Sequence, residues 1–210
     1  MRRNDATAEC DIIQRMFTGI IECLGEVIKI EEEGTNKHFT IKSPVSPELK
    51  IDQSIAHNGV CLTVVSLKDD EHVVTAIEET LIKSNIGDIN VGQKVNLERC
   101  MQANARIDGH FVQGHVDMTA TCDKIMEHDG SWTYEFSLSD DSHDHLMVDK
   151  GSVTINGTSL TLVKSDWNCF SVAIIPYTYE NTIFHQLREG DSVNIEFDIL
   201  GKYISKMVRK

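Results

Sequence analysis

Two heptapeptides carry thiol and hydroxyl groups at one spacing: His57-Asn58-Gly59-Val60-Cys61-Leu62-Thr63 and Ile155-Asn156-Gly157-Thr158-Ser159-Leu160-Thr161. In an extended chain alternate side chains share a face, so Cys61 pairs with Thr63 and Ser159 with Thr161. Each face offers hydrogen-bond donors, and one adds a weakly acidic thiol. Buried hydroxyls and small thiols also satisfy backbone or simply pack, so the spacing alone leaves both readings open. His115 is the side chain best suited to handle protons near neutral pH, the plain alternative being a histidine that hydrogen-bonds in a wall.

These residues sit inside a longer internal repeat. With the spacing unchanged, Ile77 falls on Ile175 and Thr80 on Thr178. Gly92-Gln93-Lys94-Val95-Asn96-Leu97-Glu98 then falls on Gly190-Asp191-Ser192-Val193-Asn194-Ile195-Glu196, so one register holds from 57 to 98 without a gap. Upstream, Thr18-Gly19-Ile20-Ile21-Glu22 matches Gln113-Gly114-His115-Val116-Asp117 after a small shift. The chain therefore contains two copies of one fold.

Each copy reads as short strands. Trp132, Tyr134, Phe136 and Leu138 alternate with polar residues, as do the apolar residues of 170–174 and 193–197. Glycines at 19, 59, 92, 114, 157 and 190 punctuate the segments. Many strands and few helical patterns predict a small closed antiparallel barrel per copy, closure removing exposed edges. Thr178 to Leu187, which begins with a residue able to cap, is expected as a short helix, and so is Thr80 to Ile86. In the tail, Leu200, Tyr203, Ile204, Met207 and Val208 share one helical face and Lys202, Lys206 and Arg209 the other. A ten-residue helix is marginal alone, so this one is expected to pack against something.

Thirty-three acids against twenty bases give a net charge of -13, which repels phosphate backbones and argues against nucleic-acid binding. No apolar run reaches the roughly 18 residues of a membrane span. Residues 1–15 carry arginines without an apolar stretch, so they read as a disordered extension rather than a secretory signal. Six cysteines without a C-x-x-C pair read as reduced thiols in the cytoplasm. The run Asp140-Asp141-Ser142-His143-Asp144-His145 could suggest a metal site, but a solvated connector is the preferred reading.

Met16-Phe17-Thr18-Gly19-Ile20-Ile21-Glu22, His57-Asn58-Gly59 through Thr63, Gly109-His110-Phe111-Val112-Gln113-Gly114-His115, and Asn156 through Thr161 together resemble the riboflavin synthases. The resemblance runs from Met16 to about Glu196 in the family's order and spacing. It implies an all-β chain of two tandem six-stranded Greek-key barrels, at 16–110 and 111–198, with a C-terminal helix at 199–210 that holds a homotrimer. It implies a dismutation of two 6,7-dimethyl-8-ribityllumazine molecules, without metal, flavin or nicotinamide cofactor. One substrate gives a four-carbon unit to the other, yielding riboflavin and a ribitylamino-pyrimidinedione. Association with lumazine synthase is left open.

The family reaction starts when the methyl group on C7 of one lumazine loses a proton. The anion spreads into the ring, which calls for donors aimed at ring oxygens and nitrogens. Backbone N–H groups of Gly19-Ile20-Ile21 and Gly114-His115-Val116 fit that task, because glycine admits main chain close to a flat ligand. The resemblance implies that Cys61-Leu62-Thr63 and Ser159-Leu160-Thr161 line the two pockets. So do Thr75-Ala76-Ile77-Glu78-Glu79-Thr80 and Ile174-Ile175-Pro176-Tyr177-Thr178-Tyr179. Lys150 matches a family lysine for the ribityl hydroxyls, its plain alternative being a surface lysine. His115 is the implied proton carrier, and Ser54, Cys61, Ser159 and Thr161 are the candidates to activate or position the nucleophile. Because His115 replaces Ile20 and Ser159 replaces Cys61 between copies, one pocket is expected to hold the imidazole and the other the thiol. Asn156 stands where some members have Asp, so a carboxylate base there is not available to this chain. Two rivals differ in class. A lumazine-binding antenna protein would have lost second-copy pocket residues, and a flavin reductase barrel would need a Gly-rich nucleotide fingerprint that is not visible.

Overall fold

The computed structural model describes residues 16–140 and 143–208. The expected disordered extension at 1–15, Arg209 of the tail, and Asp141 and Ser142 of the acidic run lie outside them. Twelve strands form two closed antiparallel barrels among these residues. The first comprises β1 (Cys23–Glu33), β2 (Asn36–Lys42), β3 (Ser54–His57), β4 (Val60–Lys68), β5 (Glu71–Ala76) and β6 (Lys94–Arg99), in the order β1-β2-β5-β4-β3-β6. The second repeats it with β7 (Met118–His128), β8 (Ser131–Leu138), β9 (Ser152–Ile155), β10 (Thr158–Asp166), β11 (Cys169–Ile174) and β12 (Ser192–Phe197). Register shifts recur at matching places, between Val64 and Ser66 in β4 and between Leu162 and Lys164 in β10. Such bulges bend a strand, which small barrels need in order to close.

Alternation sends one side of each strand inward. Val27, Ile55, Val64, Val74 and Leu97 are fully buried in the first barrel, and Phe136, Val153, Leu162, Val172 and Ile195 in the second. The first core also holds polar groups. His57 Nε2 lies 2.9 Å from His72 Nε2, and His72 Nδ1 lies 2.8 Å from Ser46 Oγ. The repeat register puts Ile155 and Phe170 at these two positions in the second barrel, both buried. Burial pushes His72 down to about 4 and His57 well below the usual range, the neighbouring ring adding to the effect on His57.

The short helices start earlier than the threonines suggest. α1 (Glu78–Lys83) and α2 (Pro176–Asn181) open after extended Ile77 and Ile175, and Pro176 suits a first helical turn. Thr80 and Thr178 lie inside these helices. The capping role belongs to Ser84 and Thr182, whose hydroxyls accept from Ile86 N and Phe184 N of the following 3-10 turns. The C-terminal helix α3 (Ile199–Val208) docks through its polar side: Lys202 Nζ lies 2.6 Å from Asp117 Oδ2. The apolar face, expected to find a partner, stays uncovered by the described residues. Leu200, Tyr203, Ile204, Met207 and Val208 are 59–77% exposed.

A pseudo-twofold contact locks the barrels together. Asn96 donates through Nδ2 to Asn156 O at 2.8 Å, and Asn194 donates through Nδ2 to Asn58 O at 2.9 Å. Gly59 and Gly157 face each other at the centre. A Cβ on Gly59 would come within 2.6 Å of Gly157 N, and both residues have positive φ, so only glycine fits.

Candidate active site

The loop before β1 and the loop before β7 cross between barrels. Phe17 and Val112 form an antiparallel bridge, with Phe17 N donating to Val112 O at 2.7 Å and Val112 N to Phe17 O at 3.0 Å. Beyond it, each loop lies on the strand of the opposite barrel. Ser159 N in β10 donates to Gly19 O at 2.8 Å, and Cys61 N in β4 donates to Gly114 O at 2.9 Å. The approach is too close for any side chain on these glycines. A Cβ on Gly19 or Gly114 would lie 2.6 Å from the Cβ of Ser159 or Cys61 respectively.

The crossing corrects the expected division of chemistry. His115 follows Gly114, so its loop is laid against Cys61, and the imidazole and the thiol belong to one site. Ser159 instead faces the loop of Ile20. The repeat register tells which residues correspond, but a loop exchanged between copies puts corresponding residues beside the other copy. Leu62 and Thr63 follow Cys61 on β4, and β5, paired with β4 through Val64 and Val74, runs through Thr75 and Ala76 into Ile77 to Thr80. Leu160 and Thr161 follow Ser159 on β10, and β11, paired with it through Leu162 and Val172, ends on Ile174 and leads into Ile175 to Tyr179.

Within each site the strand alternation holds. Leu62 is buried while Thr63 is exposed and Cys61 half-buried, and Thr161 is exposed beside a half-buried Ser159. Ser54 pairs with Thr63 across β3 and β4, as Ser152 pairs with Thr161. Ala76 and Ile174 are buried and anchor the strand ends, while Ile77 and Ile175 are more than half exposed. Glu78 and Glu79 are exposed on the first turn of α1, with Pro176 and Tyr177 on that of α2. Tyr179 turns away onto Trp132, ring centroids 3.8 Å apart and nearly parallel. Lys150 is exposed at a positive-φ turn that matches Asp52 in the first copy. His115 is exposed, and Val116 packs on the first barrel's core.

Three residues outside the expected set complete the geometry. His110 Nδ1 lies 2.6 Å from Ser159 Oγ, and its Nε2 lies 3.1 Å from Thr154 Oγ1. Burial lowers the His110 pKa, with Asp198 opposing. Glu98 accepts from Thr18 N and Oγ1 and from Gly19 N at 2.7–2.9 Å. Glu196 accepts from Gln113 N, Gly114 N and His115 N over the same range. Burial pushes both carboxyls up to about 7, and the loop N–H groups pull the other way. A signal for the acids was present: both copies carry the same Glu at the next-to-last position of the last strand, at the end of the matched segments 92–98 and 190–196. His110 had no such signal, since its partner Ser159 is contributed from 49 residues away.

Two concavities, of about 350 and 500 Å³, lie beside α3 and are lined by His145, Leu146 and Ser205 among others. Neither is lined by a residue expected to hold substrate. His143 stacks on Phe197 at 5.6 Å, and among the described residues no group of three or more potential ligands could hold a metal ion. No helix among them is long and apolar enough to cross a membrane.

The lumazine binding domain family matches the chain twice, over residues 18–100 and 113–198. Riboflavin synthase of Bacillus subtilis is 39% identical over 196 residues, which cover 93% of this chain and 91% of that one. The Saccharomyces cerevisiae enzyme is 38% identical, with coverage of 92% and 86%, and the Mycobacterium tuberculosis enzyme 40%, with 92% and 98%. The chain belongs to the riboflavin synthase family. Its fold also resembles that of LumP complexed with 6,7-dimethyl-8-(1'-D-ribityl) lumazine, at a TM-score of 0.77 and 22% identity, covering 85% of this chain and 97% of that one.

Proposed function

We propose that this chain is an enzyme that dismutates two 6,7-dimethyl-8-ribityllumazine molecules into riboflavin and 5-amino-6-ribitylamino-pyrimidinedione. The observation that carries the reading is kinship with riboflavin synthases over nine-tenths of the chain, with a lumazine binding domain matched in each barrel. In this reading each site binds one lumazine. Backbone N–H groups at 19–21 and 114–116 stabilise charge on ring atoms, and Thr63, Thr161 and Lys150 hold polar edges and ribityl hydroxyls. His115 takes the C7-methyl proton, and Ser54, Cys61, Ser159 and Thr161 position the nucleophile that adds to the acceptor ring.

The two sites are open faces rather than closed cavities, and Ile20, Ile77, Ile175 and Tyr177 leave 44–71% of their surface exposed around them. Two flat rings that must touch would be enclosed if the first barrel of one subunit met the second barrel of another. The uncovered apolar face of α3 supports a homotrimer built in this way. Reduced thiols and a soluble substrate support a cytoplasmic enzyme, and association with lumazine synthase, which would supply that substrate, belongs to the same reading.

The LumP likeness favours a second reading, a chromophore carrier without chemistry. Incubating the pure protein with 6,7-dimethyl-8-ribityllumazine and following riboflavin absorbance separates the two. Riboflavin formed without added cofactor supports the enzyme, and tight binding with no product after long incubation transfers the chain to the carriers.

A further inference from the structure

We propose that Glu98 and Glu196 are crossed positioning residues, each held by one barrel's last strand and each fixing the loop that builds the other barrel's substrate site. The inference rests on the assignment of the Cys61 and Ser159 strands to the two lumazine sites. Glu98 belongs to β6 of the first barrel. Its Oε1 accepts from Thr18 N and Thr18 Oγ1, and its Oε2 from Gly19 N. Gly19 in turn accepts from Ser159 N, in the second barrel. Glu196 belongs to β12 of the second barrel. Its oxygens take Gln113 N, Gly114 N and His115 N, and Gly114 accepts from Cys61 N in the first.

Both carboxylates are nearly inaccessible, at 5% and 2% of their surface, so water cannot substitute for the acceptors they supply. Every donor each acid receives comes from one loop. Neither carboxylate takes a donor from the site strand of its own barrel, which is tied to the other loop instead. A carboxylate suits this task because both oxygens accept, whereas an amide would turn an NH2 toward an N–H. Each barrel therefore sets the geometry of its neighbour's backbone donors, and neither site is complete in an isolated barrel.

The test uses the full chain carrying Ser159→Cys, so that position 159 and Cys61 offer equivalent reporter thiols. Protection of each from alkylation by 6,7-dimethyl-8-ribityllumazine, read by mass spectrometry, gives occupancy of each site. In that background Glu98→Gln should weaken protection at position 159 by about tenfold while leaving Cys61 unchanged, and Glu196→Gln the reverse. Thr18→Val removes a single donor to Glu98 and should weaken position 159 alone, by less. If Gln variants fail to fold, Thr18→Val still decides. Loss at the acid's own barrel, or equal loss at both, overturns the crossed assignment. If the reporter chain with both acids intact shows protection at neither thiol, it is the substrate assignment that fails.

Discussion

The two barrels keep one register yet differ in what they bury and what they present. The first buries His57 and His72 where the second buries Ile155 and Phe170. At the strand–helix corner, Lys37 Nζ donates to Gly87 O in the first barrel, while Trp132 stacks on Tyr179 in the second. Beside the sites, Ile20 and Cys61 stand opposite His115 and Ser159. Among the groups that join the barrels, Asn58 and Asn156, Asn96 and Asn194, and Glu98 and Glu196 are the same in both copies. Asn85, whose Nδ2 donates to Asn156 Oδ1 and Ser192 O, has as counterpart Ile183, which reaches Asn96 Oδ1 through its backbone N alone. Side-chain bonds exchanged reciprocally across a twofold axis need the same group on each side, whereas a contact outside that set, a core or a ligand face can change within one copy. An asymmetric reaction between identical substrates can therefore be built on a symmetric frame.

The largest expected effect removes the contact that would bring unlike sites together. Ending the chain at Ile199 should leave folded barrels that still bind lumazine but sediment as monomers, with nearly all activity lost. A monomer of full activity would show that one chain brings both rings together and would end the shared-site model.

His115→Gln comes next and tests whether the imidazole is the asymmetry that matters. Turnover should fall about 100-fold with binding far less affected, the range for a positioned acid or base. Conservative change at the matching position, Ile20→Val, should alter turnover little. Steady-state kinetics on both variants would separate a proton carrier from a wall residue, since a wall residue would give two similar small effects.

Acid should distinguish the barrels in stability. Folding lowers the affinity of His57 and His72 for protons, so below about pH 6.5 the unfolded chain takes up more of them. Stability then falls as pH drops from 6.5 toward 4, by about 3 kcal/mol from His72 alone. Copying the second barrel with His57→Ile and His72→Phe should remove that loss in urea titrations across this range. Glu98 and Glu196 act in the opposite direction, costing stability as pH rises from the ordinary carboxylate range toward about 7. They are present in both proteins and cancel in the difference. An unchanged acid slope in the double variant would show that the imidazole pair is not what limits the first barrel.

The smallest effect is expected from Cys61→Ser, which makes the two site strands alike. Serine keeps a donor of similar size and loses acidity and polarisability. Turnover should fall less than for His115→Gln, with lumazine binding retained by fluorescence titration. Unchanged turnover would assign the thiol to packing.

Much of this molecule was legible before any coordinates. Strands such as Trp132 to Leu138 and Val193 to Phe197 follow from alternation, because a half-buried strand imposes a period of two on its own residues. The duplication was legible because one register survives across both copies, and closure into barrels followed from the need to satisfy edges. Helix starts were misplaced by two residues at Thr80 and Thr178, since a threonine can cap or can sit inside a turn and only the backbone decides. The tertiary structure alone decided which loop serves which site. Nothing in a repeat register says that Gly114 will lie on Cys61 rather than Ser159, because that choice depends on chain segments crossing between bodies that the sequence lists in order. It likewise joined His110 to Ser159 and aimed Glu98 and Glu196 at their loops, since a hydrogen bond between residues 49 to 83 positions apart leaves no local pattern to read.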